Sequence, residues 1–107
     1  MEWMFLAAAI VFEVGGTTLL KMSEGFTRWA FAASALAVYG VSFLFLSFAL
    51  RTIDVGVAYA IWSGLGTVLV VIVGYLVFGE PMTALKLGFV AMIVAGVIGL
   101  HLTSSHA

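Results

Sequence analysis

The sequence predicts an all-α membrane protein with four transmembrane helices, and three observations carry that prediction. Hydrophobic residues make up 64% of the 107 and charged residues only 8%, whereas a soluble domain carries about 25% charged residues. The mean hydropathy is high, at +1.28. The apolar residues fall in four continuous runs, at about 3–20, 29–50, 55–78 and 84–102, each near the roughly 20 residues that a helix needs to cross a bilayer core. None of them alternates with the period of two expected of a barrel strand, so helices are favoured. Four spans and their short links leave one domain over 1–107 and no soluble part. Any chemistry must sit among the helices.

The first run, Trp3 to Leu20, carries an acid, Glu13, well inside it. No Lys or Arg precedes this run and the acid interrupts it, so it reads as a retained span and not as a cleaved signal peptide. The link that follows, Lys21-Met22-Ser23-Glu24-Gly25-Phe26-Thr27-Arg28, is polar with a glycine breaker. Trp29 opens the second run, which extends to Leu50, and Arg51-Thr52-Ile53-Asp54 leads into the third. The third run contains Gly64 and Gly66 and ends before Gly79-Glu80-Pro81, where glycine and the chain's one proline mark a turn. The fourth run, Ala84 to Leu102, enters a short polar tail.

Lys21, Arg28 and Lys86 fall on one side of this topology and Arg51 on the other. That bias is modest, and it is compatible with insertion in both orientations. An antiparallel pair of identical subunits would then bring two copies of Glu13 near one midplane. A four-helix chain has little room for both a packed seam and a solute pathway, so oligomerisation is expected. Ala91, Ala95 and Gly99 recur every four residues in the fourth span, with Gly88 and Gly96 on neighbouring rows. Small residues at this spacing let helices approach closely. The spacing fits a dimer seam and an intramolecular seam equally well.

Glu13 is the candidate functional centre. A carboxylate at hydrocarbon depth costs several kcal/mol, so a chain that keeps one there pairs it, hydrates it or uses it. On its own helix Ala9, Gly16 and Thr17 leave room beside it at i±3 or i±4. Comparable stripes, each pairing an aromatic residue with a hydroxyl, occur on the second helix at Tyr39, Ser42 and Phe43, and on the third at Tyr59, Trp62 and Ser63. Core packing with a satisfied polar tip accounts for each of these residues taken singly. Trp62, in mid-span, is more informative than Trp3 or Trp29 near helix ends, where Trp serves as an interfacial anchor.

Other classes of function find little support. A net charge of −1 offers no basic surface for nucleic acid, and the absence of Cys removes thiolate sites. His101 and His106 have no partner at metal-ligand spacing, so neither a metal nor a cofactor is expected and no catalytic residue is assigned. Lys21, Glu24, Arg28, Arg51, Glu80 and Lys86 sit at span ends, where snorkelling to the headgroups is the ordinary explanation.

Three segments, Glu13-Val14-Gly15-Gly16-Thr17-Thr18, the Lys21–Arg28 link with its Gly25-Phe26-Thr27-Arg28, and Ala58-Tyr59-Ala60-Ile61-Trp62-Ser63-Gly64-Leu65-Gly66, resemble the small multidrug resistance family over essentially the whole chain. The resemblance implies an antiparallel, dual-topology homodimer in the bacterial inner membrane that exports organic cations in exchange for protons. It implies that Glu13 is the shared proton and substrate site, lined by Tyr39, Tyr59 and Trp62, with Ser42 and Ser63 completing its polar contacts. By the same resemblance Gly64 and Gly66 would be the hinge of the third helix, and the fourth helix the main dimer contact. Gly16 and Ser63 look like the branch that handles quaternary ammonium and polyaromatic cations, since the guanidinium-exporting branch usually carries Trp and Thr there. Asp54, where many members have Pro, and Phe89, at a position commonly Gly, depart from the family pattern.

The expected partners are therefore organic cations, protons, membrane lipids and a second copy of the chain. A guanidinium-selective exporter, a subunit of a heteromeric polyamine or lipid transporter, and a structural protein in which Glu13 only holds helices together are the competing readings.

Overall fold

The computed structural model describes residues 2–103, and His106 lies outside them. Four helices follow one another: α1 (Glu2–Met22), α2 (Trp29–Ala49), α3 (Val55–Phe78) and α4 (Ala84–Thr103). At 20 to 24 residues each and about 1.5 Å per residue, every one is long enough to cross a hydrocarbon core. The chain is thus a multi-pass membrane protein.

Local chemistry sets where each helix ends. Ser23, fully buried, clasps the end of α1: its hydroxyl donates to the Leu20 carbonyl at 2.6 Å and accepts the Phe26 amide at 3.2 Å. Between Ser23 and α2 the backbone turns through three successive left-handed residues, Glu24, Gly25 and Phe26, at φ 50°, 72° and 68°. Such φ values cost a side-chain-bearing residue roughly 1–2 kcal/mol, and the Arg28 amide bond to the Ser23 carbonyl at 2.9 Å helps to hold the turn closed. The α2–α3 link is tied by the Ile53 amide to the Ala49 carbonyl at 3.0 Å, with Ile53 itself buried. At the end of α3, Gly79 adopts φ 66° and its amide makes a 6→1 bond to the Gly74 carbonyl, which also accepts the Glu80 amide at 3.0 Å. Thr83 caps α4 by accepting the Lys86 amide at 3.1 Å.

The helices pack in the order α2, α1, α3, α4, with α1 lying most extensively on α2. The core is small: Leu6, Ile10 and Val14 of α1 meet Ala49 and Ile53, and Ala58 and Ile61 of α3. α4 packs on α3 and meets α1 through the rings of Trp3 and His101, 4.6 Å apart. None of its residues is buried. The Cα extents of 44 × 35 × 17 Å describe a slab and not a closed bundle. Its faces carry large apolar side chains such as Met4, Val11, Leu36, Leu76, Leu87, Phe89 and Met92, which suits a surface bathed by lipid or covered by another chain.

Candidate functional site

Glu13 lies halfway along α1, one turn before Thr17, and the i, i+4 spacing stacks the two side chains. The Thr17 hydroxyl donates to Oε1 of Glu13 at 3.3 Å, and the Tyr39 hydroxyl lies 2.7 Å from the same Thr17 oxygen. Thr17 has one hydroxyl hydrogen, so with that hydrogen directed at Glu13, Tyr39 must be the donor to Thr17. Gly16 makes this relay possible. A Cβ there would come within 2.9 Å of the Tyr39 ring, so only a glycine lets Tyr39 lie against α1 and reach Thr17.

The second carboxylate oxygen is in a different position. Oε2 is buried and accepts no hydrogen bond among the described residues. It rests on α3 at Gly66, where a Cβ would come within 2.8 Å of it. Close by, the Trp62 indole N–H is likewise buried without an acceptor. Glu13, Thr17, Trp62, Ser63, Thr67, Val70 and Val71 line one cavity of about 300 Å³. An unpaired acceptor, an unpaired donor and apolar walls make a site with spare polar capacity.

A continuous row of aromatic rings runs from α2 to α3, and one of them, Trp62, lines that cavity. Tyr39 stacks with Phe43 at 6.3 Å, Phe43 meets Trp62 edge-on at 6.2 Å, and Trp62 lies 5.6 Å from Tyr59. Phe43 and Tyr59 are more than half exposed, so the row is open on its outer face. Ring faces and a carboxylate around an apolar space form an environment that attracts an organic cation.

Two hydroxyls expected to contact the carboxylate bond backbone carbonyls instead. The Ser42 hydroxyl donates to the Ala9 carbonyl at 2.6 Å, and both residues are fully buried; they lock α1 to α2 and do not face the cavity. Ser63 lines the cavity, but its hydroxyl donates back to the Tyr59 carbonyl at 2.8 Å. α3 runs as one helix through Gly64 and Gly66. These two glycines serve different neighbours: Gly64 faces Val97 and Ile93 of α4, and Gly66 faces Glu13. In α4, Ala91, Ala95, Gly88, Gly96 and Gly99 are exposed, and a Cβ on any of the three glycines meets nothing within 4 Å. The small-residue rows therefore take no part in the seam within the subunit.

The sequence reading missed Thr67, Val70 and Val71. They extend the Tyr59–Trp62–Ser63–Gly66 stripe by one turn, and following the helical period further would have found them. A second hollow of about 340 Å³, between α1, α3 and α4, is lined by Trp3, Leu6, Ile10, Ile61, Val97 and His101 among others and contains no acid.

Comparison with known proteins points to one family. The family described as Small Multidrug Resistance protein matches residues 1–93. The quaternary ammonium compound-resistance protein QacE of Escherichia coli is 50% identical over 104 residues, covering 95% of this chain and 93% of that protein. The multidrug resistance protein EbrB of Bacillus subtilis is 46% identical over 104 residues, covering 97% and 89%. A putative ethidium bromide resistance protein of Escherichia coli is 50% identical over 90 residues, covering 84% and 76%.

Proposed function

We propose, from the premise that this chain belongs to the small multidrug resistance family, that it is a multidrug efflux transporter of the bacterial inner membrane. More finely, it exports hydrophobic and quaternary ammonium cations in exchange for protons, with both competing for Glu13, and it works as an antiparallel homodimer. The observation that carries this reading is the Glu13 carboxylate: at mid-span, held at Oε1 by Thr17 and left without a partner at Oε2, beside a row of four aromatic rings.

The chemistry follows from that asymmetry. Thr17 fixes the carboxylate's direction and leaves Oε2 to take either a proton or the positive charge of a substrate. A quaternary ammonium cannot donate a hydrogen bond, so it is held by charge and by ring faces, which Trp62 and Tyr59 supply. Because each ligand lowers the other's affinity for the shared site, exchange is coupled when only a loaded protein changes access. Names of relatives that mention quaternary ammonium compounds and ethidium support cations of this kind.

Assembly as a dimer is supported by what one subunit leaves unfinished. The aromatic row is open on one side, and the small-residue rows of α4 touch nothing within the subunit. A second copy meeting α4 at these rows would cover them. The charge bias of three against one leaves both orientations available.

The test is transport by purified protein in liposomes, recording currents driven by tetrapropylammonium, a larger aromatic cation and guanidinium, for wild type and Glu13→Gln. The organic cations should give currents that vanish in an intact Glu13→Gln dimer. A response to guanidinium alone would move the chain to the selective branch. A mutant that transports like wild type would overturn the assignment of Glu13.

A further inference from the structure

Two acids of this chain are seated on glycines of the same helix. Glu13 rests on Gly66, and Glu80 folds back from the α3–α4 turn so that its carboxylate lies on Gly74, about 12 Å further along α3 at two turns' distance. The turn dictates this placement. Gly79 in the left-handed conformation, the Glu80 amide bonded to Gly74 and the fixed φ of Pro81 aim the side chain inward over the helix. A Cβ on residue 74 would collide with the carboxylate.

An ammonium group already occupies the space in front of Glu80. Lys21 Nζ stands 3.3 Å from Oε2 of Glu80 and 5.5 Å from the centroid of the Phe78 ring. A carboxylate and a ring face around a positive charge repeat, at the end of the span, the chemistry that Glu13 and Trp62 offer at its middle. The two places are neighbours. Glu13, Thr17 and Lys21 stand at i, i+4 and i+8 on one face of α1. A hollow of about 90 Å³ in front of Glu80 shares Thr17 and Val70 with the Glu13 cavity. Lys86 does not compete for the acid, since its ammonium donates to the Pro81 carbonyl at 3.0 Å.

We infer that Phe78 and Glu80 form a second organic-cation site at the mouth of the Glu13 groove, occupied by Lys21 until a permeating cation displaces it. The inference rests on the transport reading above and adds a station to the path. Its strength fits a station and not a lock: both side chains of the Lys21–Glu80 pair are about half exposed, and water screens such a pair so that it holds only weakly. Lys21 therefore yields readily to an incoming cation.

The experiment measures initial tetrapropylammonium efflux from proteoliposomes under a fixed proton gradient, for wild type, Glu80→Gln and Lys21→Gln, with equilibrium binding of the same cation in detergent. Glu80→Gln should slow transport about two- to fivefold and leave equilibrium affinity at Glu13 unchanged. Lys21→Gln should speed transport by a similar factor, because the tethered competitor is gone. Both differences should shrink at high salt, which screens exposed charges. If both substitutions slow transport alike and the exchange Lys21→Glu with Glu80→Lys restores it, the pair is only a latch and the inference fails. It fails also if neither substitution changes the rate while Glu13→Gln abolishes it. Transport that survives Glu13→Gln would instead overturn the underlying reading, and this one with it.

Discussion

Glu13 holds its two oxygens in unlike surroundings, one bonded by Thr17 and the other resting on Gly66 without a partner among the described residues. The acid itself, and Thr17 one turn away, stood out in the sequence because a charge in an apolar run is conspicuous and the helical period is regular. Gly16 as the seat of the Tyr39 ring was not legible, since it depends on where α2 lies. The relay makes definite demands. Thr17→Val removes the donor to Oε1 and should weaken tetrapropylammonium binding by about tenfold, the value of a hydrogen bond to a charged group. Tyr39→Phe should cost less. The double variant should be no worse than Thr17→Val alone, because the two residues act in series; calorimetric titration of the three proteins reads this directly. Gly16→Ala forces the Tyr39 ring off α1 and should destabilise the fold by about 1–3 kcal/mol, as overpacking does, measured by thermal unfolding in detergent.

At the level of the helix, α3 shows why two nearby glycines need not share a purpose. Residues two apart on a helix point about 200° apart, so Gly64 serves the α4 seam while Gly66 seats the acid. The existence of the four helices followed directly from run length and from the breakers Gly25, Gly79 and Pro81. The role of α4 was not decided by spacing, because a row of small residues looks the same whatever it faces. The two seams are separable by substitution. Gly64→Leu drives a side chain into Val97 and Ile93 and should disrupt the α3–α4 packing of each subunit. A Cβ at Gly99 meets nothing within 4 Å in its own subunit, so with the proposed dimer Gly99→Leu should leave helix content unchanged while lowering the dimer fraction, read by circular dichroism and by cross-linking in detergent.

Taken whole, the subunit is a slab with one acid near its middle and no further ionisable side chain lining that cavity. Under the proposed exchange, coupling between protons and substrate reduces to competition at Glu13. Lowering the pH raises the proton's share of the site, so cation affinity should fall, by up to about tenfold per pH unit for each proton displaced. Binding measured across pH should give that slope in wild type. Glu13, Thr17, Trp62 and Ser63 of the cavity lining could be named from one chain's sequence because they fall on regular stripes of α1 and α3. Which walls are missing could not, because that depends on how the four helices are laid side by side.

The tight link between α1 and α2, with its buried Ser23 and three left-handed residues, bears on the order of synthesis. At about 5–20 residues per second, the ribosome completes α2 a few seconds before it completes α3. Glu13, Thr17 and Tyr39 all lie within the α1–α2 hairpin, whereas Gly66 belongs to α3, so every partner the relay needs is made before the glycine that seats the second oxygen.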